Sequence, residues 1–287
     1  MLTQIVGKTR LALAPMQNHW WQVALYVTER GLTTSVMPYG ARGVTVDFDF
    51  IAHVVVLRTS DGDSRTIPLV PCTVAAFYGE YMKALRALGV DVKLHPVPVE
   101  VPVAIPFAED NEHAEYDGAW AQRWWKAMLQ ADRVMKQFRG KFEGKSSPAH
   151  FFWGSFDIAA TRFSGRGAPV HPGGAPNCPD YVMQEAYSRE CSSCGFWPGG
   201  VGQEAAFYSY AYPEPGGYSA YPVQPAGAYY DQTMREFILP YDVVRASDAP
   251  DEALLAFFQS TYEAAAVCGA WDRASLERQS TGGNSDA

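Results

Sequence analysis

Residues Val74-Ala-Ala-Phe-Tyr-Gly-Glu-Tyr-Met-Lys-Ala-Leu-Arg-Ala-Leu-Gly89 decide how the chain is read. Val74, Phe77, Tyr78, Tyr81, Leu85 and Leu88 recur at helical spacing and make one apolar stripe. Thr73 is placed to cap the first turn and Gly89 to stop the last. A second stretch, Leu254-Leu-Ala-Phe-Phe-Gln-Ser-Thr-Tyr-Glu-Ala-Ala-Ala-Val-Cys-Gly269, aligns with it without a gap. Ala76 meets Ala256, Phe77 meets Phe257, Ala84 meets Ala264 and Gly89 meets Gly269. A strand with an Ile-Pro or Leu-Pro pair precedes each helix, at Ile67-Pro68 and Leu239-Pro240. The openings also match, His19-Trp20-Trp21 against His150-Phe151-Phe152. This order predicts an internal duplication, with strands and then one helix per half.

Outward from the helices, Val44, Val46, Phe48 and Phe50 alternate with Thr45, Asp47 and Asp49, the period of a half-buried strand. His53 to Thr59 and Arg65 to Val70 read as strands joined by the turn Asp61-Gly62. Gln4 to Leu13 and Trp20 to Thr34 also read as strands. Val90 to Pro106 carries four prolines and suits an extended edge or connecting strand, not a helix. Further strands are predicted over His150 to Phe163, Tyr187 to Phe196, Ala205 to Tyr212 and Glu236 to Val244, with a last helix from Asp251 to Cys268. The fold class is α+β: antiparallel β-sheets with packing helices, duplicated and joined by a long central helix. The expected organisation is one compact domain over 1–275. Its related halves, about 1–106 and 146–270, are joined by helix 117–139, and 276–287 form a frayed polar tail.

The composition sets the class. The chain has 287 residues, 47% hydrophobic and 19% charged, which is globular and not disordered. A net charge of -8 gives no electrostatic footprint for nucleic acid. No apolar run reaches the roughly 18–20 residues of a membrane span, and no secretory apolar segment follows Met1. Five cysteines fit a reducing cytoplasm, and Cys191-Ser-Ser-Cys194 is a lone CxxC, read first as ordinary thiols. Aromatic residues reach 14%, which fits ring-rich cores and also a ring-lined pocket.

No nucleophile elbow or dinucleotide fingerprint is present, and Gly7-Lys8-Thr9 lacks the preceding glycine of a phosphate loop. Attention falls on histidines, whose imidazole titrates near neutral pH and ligates metals. His19 and His150 open the matched strands, His53 follows Asp47 and Asp49, and His113 sits in an acidic run from Glu109 to Asp117. Glu185, Tyr187 and Arg189 would share one strand face. Arg162 and Arg166 flank a glycine turn and suit an anionic group.

Longer motifs carry a resemblance. Asn18-His-Trp-Trp21, Asp47-Phe-Asp-Phe-Ile-Ala-His53, Gly144-Lys-Ser-Ser-Pro-Ala-His-Phe-Phe-Trp-Gly-Ser-Phe-Asp157, Glu185-Ala-Tyr-Ser188 and Tyr210-Ala-Tyr-Pro-Glu-Pro215 resemble DUF5996, a largely bacterial family of unknown function. The resemblance spans nearly the whole chain. It implies an element before Gln4 carrying a Trp and a His, and hence a late start codon or truncated gene here. It also implies a His where Arg189 stands, and no known activity.

Three functions stay open. The first is a cytoplasmic small-molecule enzyme with its site in the cleft between the halves. Its catalytic groups would be His53, His113, His150 and Glu185. Arg162, Arg166, Trp153 and Tyr187 would bind substrate, and His19, His53 and His150 would ligate a divalent metal if one assists. The second is a non-catalytic module holding a small molecule in an aromatic pocket. The third is a structural or partner-binding protein. Neither nucleic acid nor membrane is an expected partner.

Overall fold

A computed structural model of the protein describes residues 1–200 and 202–279. The expected polar tail therefore lies outside the described residues from position 280 on. The fold is α+β with two antiparallel sheets. No helix among the described residues is long and apolar enough to cross a membrane. The chain divides into two compact units. One comprises Met1–Gln130, His150–Ile158 and His171–Ala186; the other comprises Ala131–Ala149, Ala159–Val170 and the described residues from Tyr187 on.

The first unit begins with helix α1 (Leu2–Leu13), where the residue pattern predicts a strand. Thr3 through Arg10 are all buried, so the helix is enclosed on every side and shows no polar face. Its polar side chains bond inward: Thr9 Oγ1 lies 2.8 Å from Tyr81 Oη, and Gln4 pairs with both backbone groups of Val99. A 3-10 turn (Asn18–Val23) replaces the start of the second predicted strand. It holds His19 and Trp20 at φ 59° and 60°, a left-handed region that no strand visits.

Strands β1 (Tyr26–Val27), β2 (Gly31–Thr33), β3 (Met37–Tyr39), β4 (Arg42–Asp49), β5 (Val54–Thr59) and β6 (Ser64–Pro68) form the first sheet. Its order is β1-β2-β4-β5-β6, with β3 also on β4. Val44, Val46 and Phe48 of β4 face inward opposite Thr59, Leu57 and Val55, as the alternation predicts. Gly62 makes the β5–β6 turn at φ 95°. Helix α2 (Val74–Ala87) follows; Thr73 Oγ1 accepts the Ala76 N–H at 3.1 Å, and Val74, Phe77, Tyr81, Ala84 and Leu85 are buried. The proline-rich stretch after it is irregular and holds no strand.

Helix α3 (Gly118–Gly140) matches the predicted central helix. Trp124 anchors it in this unit, stacked 4.7 Å from Phe156 and edge-on to Phe50 and Phe151. Strand β7 (His150–Phe152) exchanges backbone bonds between Phe151 and Leu25 at 2.8 and 2.9 Å. The long strand predicted over His150 to Phe163 is broken by a turn at Phe156, φ 64°. Helix α4 (Asp180–Ala186) occupies Glu185, which the sequence places on a strand.

In the second unit, strands β8 (Asp157–Gly167), β9 (Arg189–Trp197), β10 (Ala206–Tyr212), β11 (Tyr229–Asp231) and β12 (Glu236–Pro240) run in the order β11-β12-β10-β9-β8. The predicted strand to Val244 stops at Pro240, where the short helix α5 (Tyr241–Arg245) begins. Helix α6 (Pro250–Cys268) buries Leu254, Phe257, Phe258 and Tyr262, and α7 (Arg273–Leu276) closes the fold. Arg133 and Asp251 form a two-pronged ion pair at 2.6 Å. A helix follows each sheet, as the aligned stretches predict. The sheets differ in strand order, however, and the internal duplication is not confirmed.

Because the Thr73 cap satisfies a helix N–H that has no partner within the helix, Thr73→Ala is expected to lower stability by about 1 kcal/mol. Urea unfolding measures the loss, and Thr73→Ser should restore most of it.

Candidate functional site

Two of the predicted histidines meet in the first unit. The 3-10 turn delivers His19 and Trp21, and β7 delivers His150. Trp21 lies beside both imidazoles, its ring 5.2 Å from that of His19 and 5.7 Å from that of His150. His19 Nδ1 donates to the Ala186 carbonyl at 2.9 Å, which ties α4 to the turn and leaves Nε2 to accept when the ring is neutral. Tyr26 Oη lies 3.3 Å from His150 Nε2. His150 is only 1% exposed. The consecutive left-handed residues His19 and Trp20 are strained, since a side chain at positive φ crowds the backbone. This strain aims the His19 and Trp21 rings into the group.

Arg10 completes it. Its guanidinium carbon sits 5.3 Å from the centroid of the Tyr26 ring, and the residue is 6% exposed. No Asp or Glu pairs with it among the described residues, and its buried Nε has no hydrogen-bond partner. Burial pushes its pKa below the ordinary arginine value, opposed by Tyr26, but a guanidinium stays charged. A buried cation without a counter-ion is costly, and an anion entering the site would relieve the cost. No motif or spacing in the sequence marks Arg10 or Tyr26 as a site residue. The signal available was a run of polar residues in a segment with no exposed face.

The other predicted residues lie elsewhere. His53 Nδ1 is 2.9 Å from Tyr116 Oη, and its ring lies against Gly118. His113 bonds to the buried Asp110 at 2.9 Å; Asp110 and His113 together receive the first N–H groups of α2 on their carbonyls, from Ala75 and Val74. Glu185 rides on α4, one residue from the carbonyl that binds His19. Trp153 donates Nε1 to Val23 at 2.7 Å.

In the second unit, the Arg162 guanidinium is enclosed by the rings of Phe138, Phe142 and Tyr262 and donates to the Phe138 carbonyl. Arg166 grips Glu190 and the carbonyls of Gly269 and Ala270. Tyr187 Oη is 2.8 Å from Tyr210 Oη. The Arg166 donors are thus turned to the protein itself, whereas the buried Nε of Arg162 makes no hydrogen bond. Burial pushes the thiols of Cys191 and Cys194 up to about 12, and their odd spacing on β9 directs them to opposite faces. Among the described residues no three His, Cys, Asp or Glu side chains are grouped to hold a metal ion, so His19, His53 and His150 are not assembled as one ligand set.

A family model described as a family of unknown function, DUF5996, matches residues 1–278. The chain belongs to the DUF5996 family. Neither a curated protein nor a solved structure matches it. The match takes in every residue of the Arg10–Tyr26–His150–Trp21–His19 group, so the site lies wholly within the DUF5996 module.

Asp110 gives this DUF5996 chain a pH signature. Burial raises its pKa, but the backbone and ring hydrogen bonds from His113 outweigh burial and hold it below the ordinary value. A depressed carboxylate stabilises the fold above its unfolded pKa of about 3.9, and the contribution is lost as pH falls through the folded value. Asp110→Asn should therefore cost about 1 kcal/mol at pH 7. The gap between the two proteins should shrink in unfolding curves taken progressively below pH 4.

Proposed function

We propose that the protein is a small-molecule enzyme whose site is the Arg10–Tyr26–His150 group of the first unit. Arg10 holds an anionic group of the substrate, a carboxylate or a phosphate. His150, hydrogen-bonded to Tyr26, moves a proton on the bound molecule, and Trp21 and His19 wall the site. The carrying observation is Arg10, a buried guanidinium that no carboxylate of the described residues pairs. A buried charge without a counter-ion is costly, and an anion bound beside it would offset that cost. Proton transfer by a positioned imidazole is worth roughly 100- to 10,000-fold in rate, so the His150–Tyr26 contact is the natural place for chemistry.

A second reading, a binding module without chemistry, is supported by the rings that pack around both imidazoles. Native mass spectrometry tells the two apart: a bound organic molecule that is released unchanged after incubation supports the module.

The test uses inorganic phosphate and succinate as probes in thermal unfolding. At least one should raise Tm saturably in the native protein. Arg10→Met should abolish that rise while unfolding at a Tm no lower than that of the ligand-free native protein. Arg10→Lys should keep a weaker rise. An unsaturable response, or one that survives in Arg10→Met, overturns the proposal. So does a loss of about 3–5 kcal/mol in Arg10→Met, which marks a guanidinium that serves the fold.

A further inference from the structure

Three exposed apolar residues of the first unit come together around His53. Ile51, Val70 and Trp120 are 47%, 51% and 65% exposed. His53, at φ 53°, ends the turn between β4 and β5 and ties the three stretches to one another. Its carbonyl accepts the Leu69 N–H at 2.8 Å, which sets Val70 next to the turn. Its ring lies against Gly118, where a Cβ would come within 2.6 Å of Cε1, and Trp120 follows two residues later. Phe50 packs edge-on against Trp124 at 5.5 Å, and Trp120 precedes Trp124 by one turn on the same face of α3. Asp49 Oδ1 accepts the N–H groups of Ile51 and Ala52 at 2.9 and 2.8 Å. The turn is thus pinned from both sides and displays these residues on a fixed frame.

Carboxylates border this surface. Residues Glu109 to Asp117 include five acids and neither Lys nor Arg. The segment is fastened to the patch: Tyr116 Oη lies 2.9 Å from His53 Nδ1, and the Val74 N–H donates to the His113 carbonyl at 3.0 Å. Asp110 is buried and bonded to His113, but Glu112, Glu115 and Asp117 are exposed and form no ion pair among the described residues. Two neighbouring cations are already engaged. Arg30 holds Asp49 at 2.6 Å, and the Arg123 guanidinium carbon lies 4.1 Å from the centroid of the Trp120 ring. Trp120 therefore accepts a guanidinium on its ring while most of its surface stays open.

We propose that this surface docks a short basic segment of a partner protein, in which an apolar side chain is flanked by Lys or Arg. The apolar side chain rests among Ile51, Val70 and Trp120, and its basic neighbours face Glu112, Glu115 and Asp117. Charge sets aside two other occupants. A second copy would bring the same carboxylates and the same net charge of -8 to this face, and an anionic membrane would be repelled in the same way. A patch of three side chains also suits a peptide anchor better than a globular interface of about 800 Å² per partner. The inference is independent of the anion site at Arg10.

A phage library of random peptides is selected on the full-length native protein, and the enriched peptides are labelled for anisotropy titration. They should carry an excess of Lys and Arg around a leucine or an aromatic residue. Trp120→Ala should weaken their binding at least about 10-fold while leaving Tm unchanged. Glu112→Lys combined with Glu115→Lys should weaken it as strongly, and added NaCl should weaken binding to the native protein. Tyr229→Ala, which removes an exposed ring of the second unit, should change nothing. A selection that enriches no basic peptide, or binding that survives in Trp120→Ala, overturns the proposal. So does self-association in sedimentation velocity, or binding to phosphatidylserine vesicles, that Trp120→Ala abolishes, because either result gives the face to another occupant.

Discussion

A helix enclosed on every side must find an internal partner for each polar group it carries, and α1 sets that demand on the first unit. Thr9 meets it with Tyr81 of α2, and Gln4 meets it with the Val99 backbone. Gly7 leaves room for the Trp153 ring against the helix, and residues 150–158 and 171–186 belong to the same compact unit. Lys8 and Arg10 are the exceptions. They are cations in the same enclosure, supported by rings and not by carboxylates. A cation–π contact recovers about 2 kcal/mol when desolvated, well short of the cost of an unpaired buried charge.

The second unit handles buried charge differently. Arg162 is 1% exposed, but three rings and the Phe138 carbonyl surround it, and its pKa is lowered to about 10 by burial. Its Nε, like that of Arg10, is buried and makes no hydrogen bond. The two buried arginines differ in their neighbours: three rings and a carbonyl around Arg162, the Tyr26 ring beside Arg10.

Regular elements were legible in the sequence wherever one face is wet. α2, α3, β4 and β5 set buried against more exposed positions at the helical or strand period, and Thr73 and Asp61-Gly62 mark ends. α1 was misread because burial all round erases that contrast. The turn at His19 and Trp20 was illegible because non-glycine residues seldom take positive φ. For the site, the matched His-aromatic motifs did single out His19 and His150. Arg10 and Tyr26 were missed because what distinguishes Arg10 is burial without a carboxylate partner, which no spacing reveals.

The first unit is assembled from stretches far apart along the chain. Tyr26 meets His150 across 124 residues, Val23 meets Trp153 across 130, and His19 meets Ala186 across 167. During synthesis, α1 leaves the ribosome with its binding surfaces unmade. At roughly 5–20 residues per second, its partners follow on the order of ten seconds later. For that interval the most apolar part of the helix, and both of its unpaired cations, remain exposed to whatever the cell offers. The nascent chain is therefore most open to chaperones, and to premature association, before residue 186 emerges.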